Sequence, residues 1–287
     1  MWISDQWKDY IVLDTSEGEK LELWGKYSLV RPDPQVIWKG AKTHPAWKRA
    51  DATYVRSRSG GGAWQDNRLP EAWEISYGKL RFGIRPTGFK HTGLFPEQAA
   101  NWDWFGNLIK RADRPIRVLN LFAYTGGATV AAAAAGASVC HVDAAKGMVA
   151  AAKENAARSG LGDAPIRYIV DDCKKFVERE IRRGSRYEAI IMDPPSYGRG
   201  PTGEVWKIEE AVDELVQLVS QVLSPRPLFF LLNSYTTGLS ASSMKCITDL
   251  RLRASYGGEG VAEELGLPIT EKGIALPCGS SVRHFFE

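Results

Sequence analysis

Residues 117–143 read RVLNLFAYTGGATVAAAAAGASVCHVD, and the order of residue types in this stretch decides the fold class. Val118, Leu119, Leu121 and Phe122 form an apolar run too short for a helix, which predicts a buried strand. Gly126 and Gly127 follow where the chain must turn sharply and let a ligand approach the backbone. Residues 129–135 then wind back as a small-residue helix that Gly136 stops. Residues 137–142 predict a second strand, and Asp143 sits at its carboxyl end, where open parallel sheets bind ligands.

The ligand is narrowed by what this turn lacks. A dinucleotide fold needs G-x-G-x-x-G so that two phosphates can sit on a helix N-terminus. Here the loop is Phe122-Ala123-Tyr124-Thr125-Gly126-Gly127, which provides for one close approach only. A carboxylate ending the second strand suits a ribose diol, because ionised Asp is an acceptor and can take both hydroxyl protons. Adenosine without pyrophosphate points to S-adenosylmethionine. Taken alone, the stretch serves equally well as an ordinary strand-to-helix turn followed by a solvated loop acid.

The alternation continues downstream. Residues 146–159 predict an alanine-rich helix closed by Gly160, and residues 166–170 a third strand followed by Asp171 and Asp172. A carboxylate there can accept from an adenine amino group, but an acid just before the helix beginning near Cys173 is also a common N-cap. Asp171 is therefore assigned to the cofactor and Asp172 to the cap or a second ligand. Residues 187–192 form a fourth strand that ends in Asp193-Pro194-Pro195-Ser196-Tyr197-Gly198, the most specific signal in the chain. Two prolines fix the backbone and remove two donors, leaving carbonyls free to point into a cleft. Asp193, at the boundary between cofactor and acceptor, can accept from an amino group, and Tyr197 can stack on a flat ring. Such a slot would hold a nucleobase nitrogen in line with a sulfonium methyl, and transfer then depends mainly on positioning. A proline-stiffened strand exit is the simpler reading of one Asp-Pro; the full run on a fourth alternating strand favours the slot.

Ile208, Ala211, Val212, Leu215, Val219 and Val222 trace one helix face, and residues 228–232 an apolar strand ending at Asn233-Ser234-Tyr235. Another helix is expected over residues 240–252 and closing strands over 261–267 and 281–286. The segment between those strands, with Pro268, Gly273 and Pro277, gives no clear element. The expected fold is α/β, a Rossmann-like doubly wound sheet over residues 86–287, preceded by a small β-rich domain over residues 1–85.

That first domain has a different texture. Seven of the ten tryptophans lie within the first 90 residues, and helical periodicity is missing. Residues 10–13 and 21–24 flank Ser16-Glu17-Gly18 as a hairpin, and alternation on either side of Gly78 predicts a second. Pro32, Pro34 and Gly60-Gly61-Gly62 mark loops. Residues 38–58 carry Lys39, Lys42, Lys48, Arg49, Arg56 and Arg58 against Asp51 alone, a local balance of +5, interleaved with Trp38, Trp47 and Tyr54. Cations that meet phosphates beside aromatic faces on which bases stack are what an unpaired RNA strand requires. A solvated charge run over a tryptophan-filled core accounts for the same pattern. Residues 92–98 then read as a loop, and residues 97–109 as an amphipathic helix burying Trp102, Phe105 and Ile109. That segment suits either a cover over a cofactor or a linker with a packed helix.

Composition sets the outer limits. The chain's 287 residues suffice for one large domain and a small one. Hydrophobic content of 44% and charged content of 25% are ordinary for a globular protein, and a net charge of +3 names no partner. Cys140, Cys173, Cys246 and Cys278 show neither C-x-x-C spacing nor histidine pairing, so neither a zinc site nor a disulfide framework is expected. The absence of a signal peptide or a long apolar run predicts neither secretion nor membrane insertion and places the protein in the cytoplasm.

The alternating strands with FAYTGG, HVD, VDD and DPPSYGRG resemble the class I S-adenosylmethionine-dependent methyltransferases, in particular the bacterial family associated with 23S ribosomal RNA methylation. HTGLFPEQAANW, GEVWKIEE and NSYTTGLS are similar to that family's pattern too, so the resemblance runs from Pro86 onward. It implies that the loop from Phe122 to Gly127 holds the methionine part of the cofactor, Asp143 the ribose and Asp171 the adenine edge. Residues 193–197 would face an RNA base.

One departure bears on the chemistry. Methylation at C5 of a pyrimidine requires a cysteine thiolate to attack C6, and enzymes of that kind place it in the fourth-strand motif or just after the fifth strand. Ser196 and Ser234 stand there instead, and only Cys278 is expected in a loop that reaches the site. Nitrogen methylation is therefore expected over carbon methylation. A methyltransferase of small molecules or proteins keeps the same cofactor half, a non-catalytic RNA-binding module keeps the basic stretch, and an NAD-dependent oxidoreductase is disfavoured by the missing glycines.

Overall fold

A computed structural model describes residues 1–57, 61–88, 90–199 and 205–286. Arg58, Gly60, and Gly203 and Glu204 of the GEVWKIEE run lie outside the described residues. Among the described residues, no helix is long and apolar enough to cross a membrane, and no group of three His, Cys, Asp or Glu is placed to hold a metal.

Contacts divide the chain into two compact units. One comprises residues 2–100 with 265–278, the other Met1, 101–264 and 279–287. This differs from a single cut at 85/86 because part of the C-terminal hairpin pairs with the N-terminal strands.

The first unit contains β1 (Trp2–Ile3), β2 (Tyr10–Ser16), β3 (Glu19–Trp24), β4 (Tyr27–Pro32), β5 (Ala52–Arg56) and β6 (Gly62–Gln65), with β7 (Trp73–Tyr77) and β8 (Leu80–Ile84) as a separate hairpin. Both expected hairpins form. Glu17 and Gly18, at φ 53° and 81°, make the two-residue turn between β2 and β3, a conformation whose twist matches that of the paired strands. Trp38 and Trp47 are half-buried and held by their edges. Their indole N–H groups donate to Thr15 Oγ1 (3.1 Å) and Asp14 Oδ2 (2.8 Å), and Tyr54 is buried. Tyr54 is thus a core residue, and Trp47 packs against the small cluster of Leu13, Leu21, Val30 and Ala50.

In the second unit, α1 (Ala99–Arg111) buries Trp102, Phe105 and Ile109 as expected and leads into β9 (Arg117–Leu121). There follow α2 (Gly127–Ala134), β10 (Ser138–Asp143), α3 (Lys146–Arg158), β11 (Ile166–Val170), α4 (Cys173–Arg182) and β12 (Ala189–Met192). A small hairpin of β13 (Tyr197–Arg199) and β14 (Val205–Lys207) precedes α5 (Ile208–Ser220), β15 (Phe229–Ser234), α6 (Ala241–Tyr256), β16 (Glu259–Ile269) and β17 (Ile274–Phe285). The unassigned prolines thus lie in two long strands, with residues 270–273 as the turn.

The sheet order is β11-β10-β9-β12-β15-β17-β16, all pairs from β11 to β15 being parallel and β17 antiparallel to β15. The order reverses between β9 and β12, the switch point at which doubly wound sheets open a ligand crevice. Both faces are covered, which is why β9, β12 and β15 read as nearly unbroken apolar runs. Leu119, Leu121, Ile190, Met192, Phe230 and Leu232 join the core shared with α4, α5 and α6. On the other face Phe105 stacks on Phe229 with ring centroids 5.7 Å apart.

Candidate functional site

Register assembles the rim before any side chain is considered. Leu121 pairs with Val142 and Met192, Met192 pairs with Leu232, and Asp143 pairs with Val170. The next residues along each strand therefore emerge side by side at the carboxyl edge: Asp171, Asp143, Phe122, Asp193 and Asn233. Asp143 and Asp193 are two strands apart, roughly 10 Å by strand spacing.

The loop after β9 is held in a costly conformation. Phe122, Tyr124 and Gly126 have φ of 55°, 50° and 81°, and only the glycine adopts such angles without penalty. Non-glycine residues in this region persist where their surroundings over-determine them, commonly at functional sites. Here the Phe122 N–H donates to Cys173 Sγ (3.2 Å), the Tyr124 N–H to Asp143 Oδ2 (2.9 Å) and Asn155 Nδ2 to the Thr125 carbonyl (2.9 Å). Gly126 also serves packing. A Cβ there would stand 2.7 Å from Ala152 Cβ, so its absence lets α3 pack against the loop.

Beneath the loop lies a buried polar chain. Asn120 Nδ2 donates to Thr129 Oγ1 (2.9 Å), which is 2.8 Å from His141 Nδ1. Burial depresses the His141 pKa to about 4, so the imidazole is neutral at physiological pH. This chain anchors the start of α2 without placing a charge under the site.

Asp143 is half-buried, and its second oxygen accepts from the Ala145 N–H (2.8 Å). An ionised carboxylate has about four acceptor positions, so two directions remain for hydroxyl donors of a ribose. The donor set fits an adenosyl group. At the end of β11 the two acids divide. Asp171 pairs with Arg179 and accepts from the Asp172 N–H (2.9 Å), while Asp172 caps α4 through the Lys175 N–H (2.9 Å). The capping reading of Asp172 is the one realised, and Asp171 has a partner to share with any ligand.

The Asp193 motif departs from the expectation of free carbonyls. The Pro195 carbonyl accepts from Trp206 Nε1 (2.6 Å) and the Ser196 carbonyl from the Ile208 N–H (3.1 Å), so both serve the hairpin and α5. Among the described residues nothing donates to the Pro194 carbonyl. Pro194 is buried, Asp193 half-buried, and Tyr197 is 52% exposed. Sequence reasoning missed Trp206. It ties Pro195 down, and its ring lies 6.5 Å from that of Phe122, linking the Asp193 motif to the loop after β9. The loop after β15 is fastened to the same helix, Thr236 Oγ1 donating to Glu209 (2.6 Å). Gly238 allows this, since a Cβ there would meet Glu209 Oε1 at 2.6 Å.

None of the cysteines is set up as a nucleophile. Cys140 and Cys173 are buried, with thiols pushed up to about 11 and about 12, and Cys246 is on the exposed side of α6. Cys278, expected in a loop reaching the site, is instead in β17 within the first unit, its Sγ donating to the Leu276 carbonyl (3.3 Å), and burial holds its thiol well above the ordinary value.

The proposed RNA-contacting cations separate as well. Lys39, Lys48, Arg49 and Arg56 are exposed, but Lys42 is half-buried, paired with Glu19 (2.5 Å) and set over the Trp47 ring.

The family model for S-adenosylmethionine-dependent methyltransferases matches residues 35–221, more than half of the chain. A crystallised S-adenosylmethionine-dependent methyltransferase from Agrobacterium tumefaciens is 39% identical, with a TM-score of 0.90 over 96% of this chain and 90% of that one. SMU.776, a candidate methyltransferase complexed with S-adenosylhomocysteine, shares the fold at 18% identity and a TM-score of 0.72 over 98% of this chain and 76% of that one. The ribosomal RNA large subunit methyltransferase K/L of Shewanella frigidimarina is 34% identical over 162 residues, 56% of this chain. The chain spans about a fifth of the length of such relatives, 22% in that case. With the loop after β9, Asp143 and the Asp-Pro-Pro motif on one edge of the sheet, the chain belongs to the S-adenosylmethionine-dependent methyltransferases.

Proposed function

We propose that this methyltransferase modifies a base nitrogen in large-subunit (23S) ribosomal RNA, acting in the cytoplasm. The observation that carries the reading is the adjacency of the Asp193-Pro194-Pro195-Ser196-Tyr197 run to the rim position of Asp143, with no cysteine in the run. When bound, S-adenosylmethionine supplies a methyl on a sulfonium, an already activated leaving group. The protein's part is to hold and orient. The loop from Phe122 to Gly127 takes the methionine portion, Asp143 the ribose hydroxyls, and Asp171 the adenine edge through an oxygen it shares with Arg179. The Asp193 carboxylate and the Pro194 carbonyl accept from the base amino group, turning the nitrogen lone pair toward the methyl, while Tyr197 stacks on the ring.

RNA as the substrate is supported by relatives named for large-subunit ribosomal RNA and by exposed cations in the first unit. Mass-spectrometric mapping of 23S RNA from cells lacking the protein should show one base methyl group missing. An unchanged methylation map, alongside transfer to a protein or small molecule, would replace RNA by that acceptor.

Nitrogen rather than carbon chemistry gives a second expected outcome. Single Cys→Ser variants at Cys140, Cys173, Cys246 and Cys278 should each keep wild-type methyl transfer to within an order of magnitude, assayed with radiolabelled cofactor. Abolition of transfer at one cysteine, with the unfolding transition intact, would instead indicate attack on carbon by that thiolate.

A further inference from the structure

The net charge of the protein is unevenly spread. Residues 2–100 with 265–278 hold 16 of the 37 Lys and Arg and 13 of the 34 Asp and Glu, so the whole formal charge of +3 belongs to the first unit. Its more buried cations are largely matched: Lys20 with Glu22 and Asp33, Arg31 with Glu22, Lys42 with Glu19. Lys90 and Arg56, like several exposed lysines and arginines of the unit, make no ion pair among the described residues.

Lys90 is unusual in being unmatched while half-buried. Its loop is closed at both ends, the Arg85 N–H donating to the Thr92 carbonyl (3.0 Å) and the Thr87 N–H to that of His91 (3.2 Å). Three donors hold it from the sheet: Tyr54 Oη to the Gly88 carbonyl (3.2 Å), Trp64 Nε1 to that of Thr87 (2.8 Å), and buried Arg31 to that of Lys90 itself (2.9 Å). The aromatics of β5 and β6 are thus brackets for the loop. Gly62 makes room for them, since a Cβ there would stand 2.8 Å from the Tyr54 ring.

Arg56, at the end of β5, lies within electrostatic reach of Lys90. It also lines an open hollow of about 440 Å³ with Val55, Ser57, Gly62, Ala63 and Gln65, a wall without a carboxylate. Burial, then Lys20, lower the Lys90 pKa to about 8; Arg56 and Arg31 act in the same sense, and Asp33 alone opposes them. A half-buried ammonium on a braced loop, with no ion-pair partner in its own fold, is favoured by an anion.

We propose that Lys90 and Arg56 form a seat for a backbone phosphate of the RNA substrate, with the hollow beside Arg56 accommodating the adjoining nucleotide. The proposal rests on RNA being the substrate and adds Lys90, which the basic stretch of residues 38–58 does not contain.

The test is the salt dependence of binding to a fluorescein-labelled oligouridylate by the full chain, wild type against Lys90→Gln and Lys90→Arg. One lost single-strand phosphate contact lowers the slope of log K against log salt by about 0.7, or about fivefold in affinity at 0.1 M salt. Lys90→Gln should show that loss with cofactor affinity unchanged, and Lys90→Arg should keep the slope. Because Lys90 has no carboxylate partner, Lys90→Gln should unfold at the wild-type temperature or higher. An unchanged slope, or a lowered unfolding temperature with unchanged binding, would overturn the seat while leaving the substrate reading in place. A wild-type protein that fails to bind the oligonucleotide would overturn the substrate reading and the seat with it.

Discussion

Replacing Asp193 by alanine is expected to lower kcat by at least about 100-fold, because an acceptor nitrogen left to rotate loses the near-attack geometry on which transfer depends. The backbone around it should survive. Pro194 and Pro195 fix φ on their own, and Trp206 and Ile208 hold the Pro195 and Ser196 carbonyls independently of the carboxylate. Cofactor affinity, measured by calorimetry, should therefore stay close to wild type. Asp193→Asn retains a carbonyl acceptor and should recover part of the activity. A parallel collapse of cofactor binding in the alanine variant would move Asp193 from the acceptor to the cofactor side of the rim.

Asp143→Ala should fail in the opposite way. Each charge-assisted hydrogen bond to a ribose hydroxyl is worth about 1.5–3 kcal/mol, so affinity for S-adenosylmethionine should drop by about 10- to 100-fold. A second loss compounds the first, because Asp143 also receives the Tyr124 and Ala145 N–H groups and so helps keep Tyr124 at its φ of 50°. Asn is a poor substitute here, since its amide nitrogen would turn a donor toward one of those N–H groups. Activity at saturating cofactor should return most of the way toward wild type. Equal losses of kcat in the two variants, with no difference in cofactor affinity, would remove the division of roles between the two acids.

The parts of this account that were readable in advance are those in which local chemistry and global position agree. Apolar runs of four to six residues alternating with helices can be satisfied in few ways other than a covered parallel sheet, and β9 to β12 follow that pattern. What the sequence did not disclose was competition for the same atoms. The Pro195 carbonyl looks available until Trp206, eleven residues later, is brought back by a hairpin. Gly126 does not disclose in the sequence that Ala152 packs against it. Asp172 could be foreseen as a cap, since that bond is local, whereas the pairing of Asp171 with Arg179 depends on α4 lying over the end of β11. Cys278 was misjudged because Pro277 and Gly279 suggest a loop, although both sit in β17.

The same contrast explains the first unit. Tryptophans among lysines resemble a nucleic-acid surface, but an indole N–H shielded from water usually takes an acceptor, and for Trp38, Trp47 and Trp64 these are Thr15, Asp14 and the Thr87 carbonyl. A half-buried lysine without an ion pair is visible only in the folded chain, which is how Lys90 emerges from the fold and not from the basic stretch.

The central claim is that one edge of the sheet carries the adenosyl site and the acceptor slot together. A crystal structure with S-adenosylhomocysteine tests it most directly. The expected density places the ribose hydroxyls on Asp143, the amino-acid portion in the loop from Phe122 to Gly127, and the sulfur facing Asp193 and Pro194. A ligand bound elsewhere, or bound in this crevice with its sulfur turned away from Asp193, would contradict it.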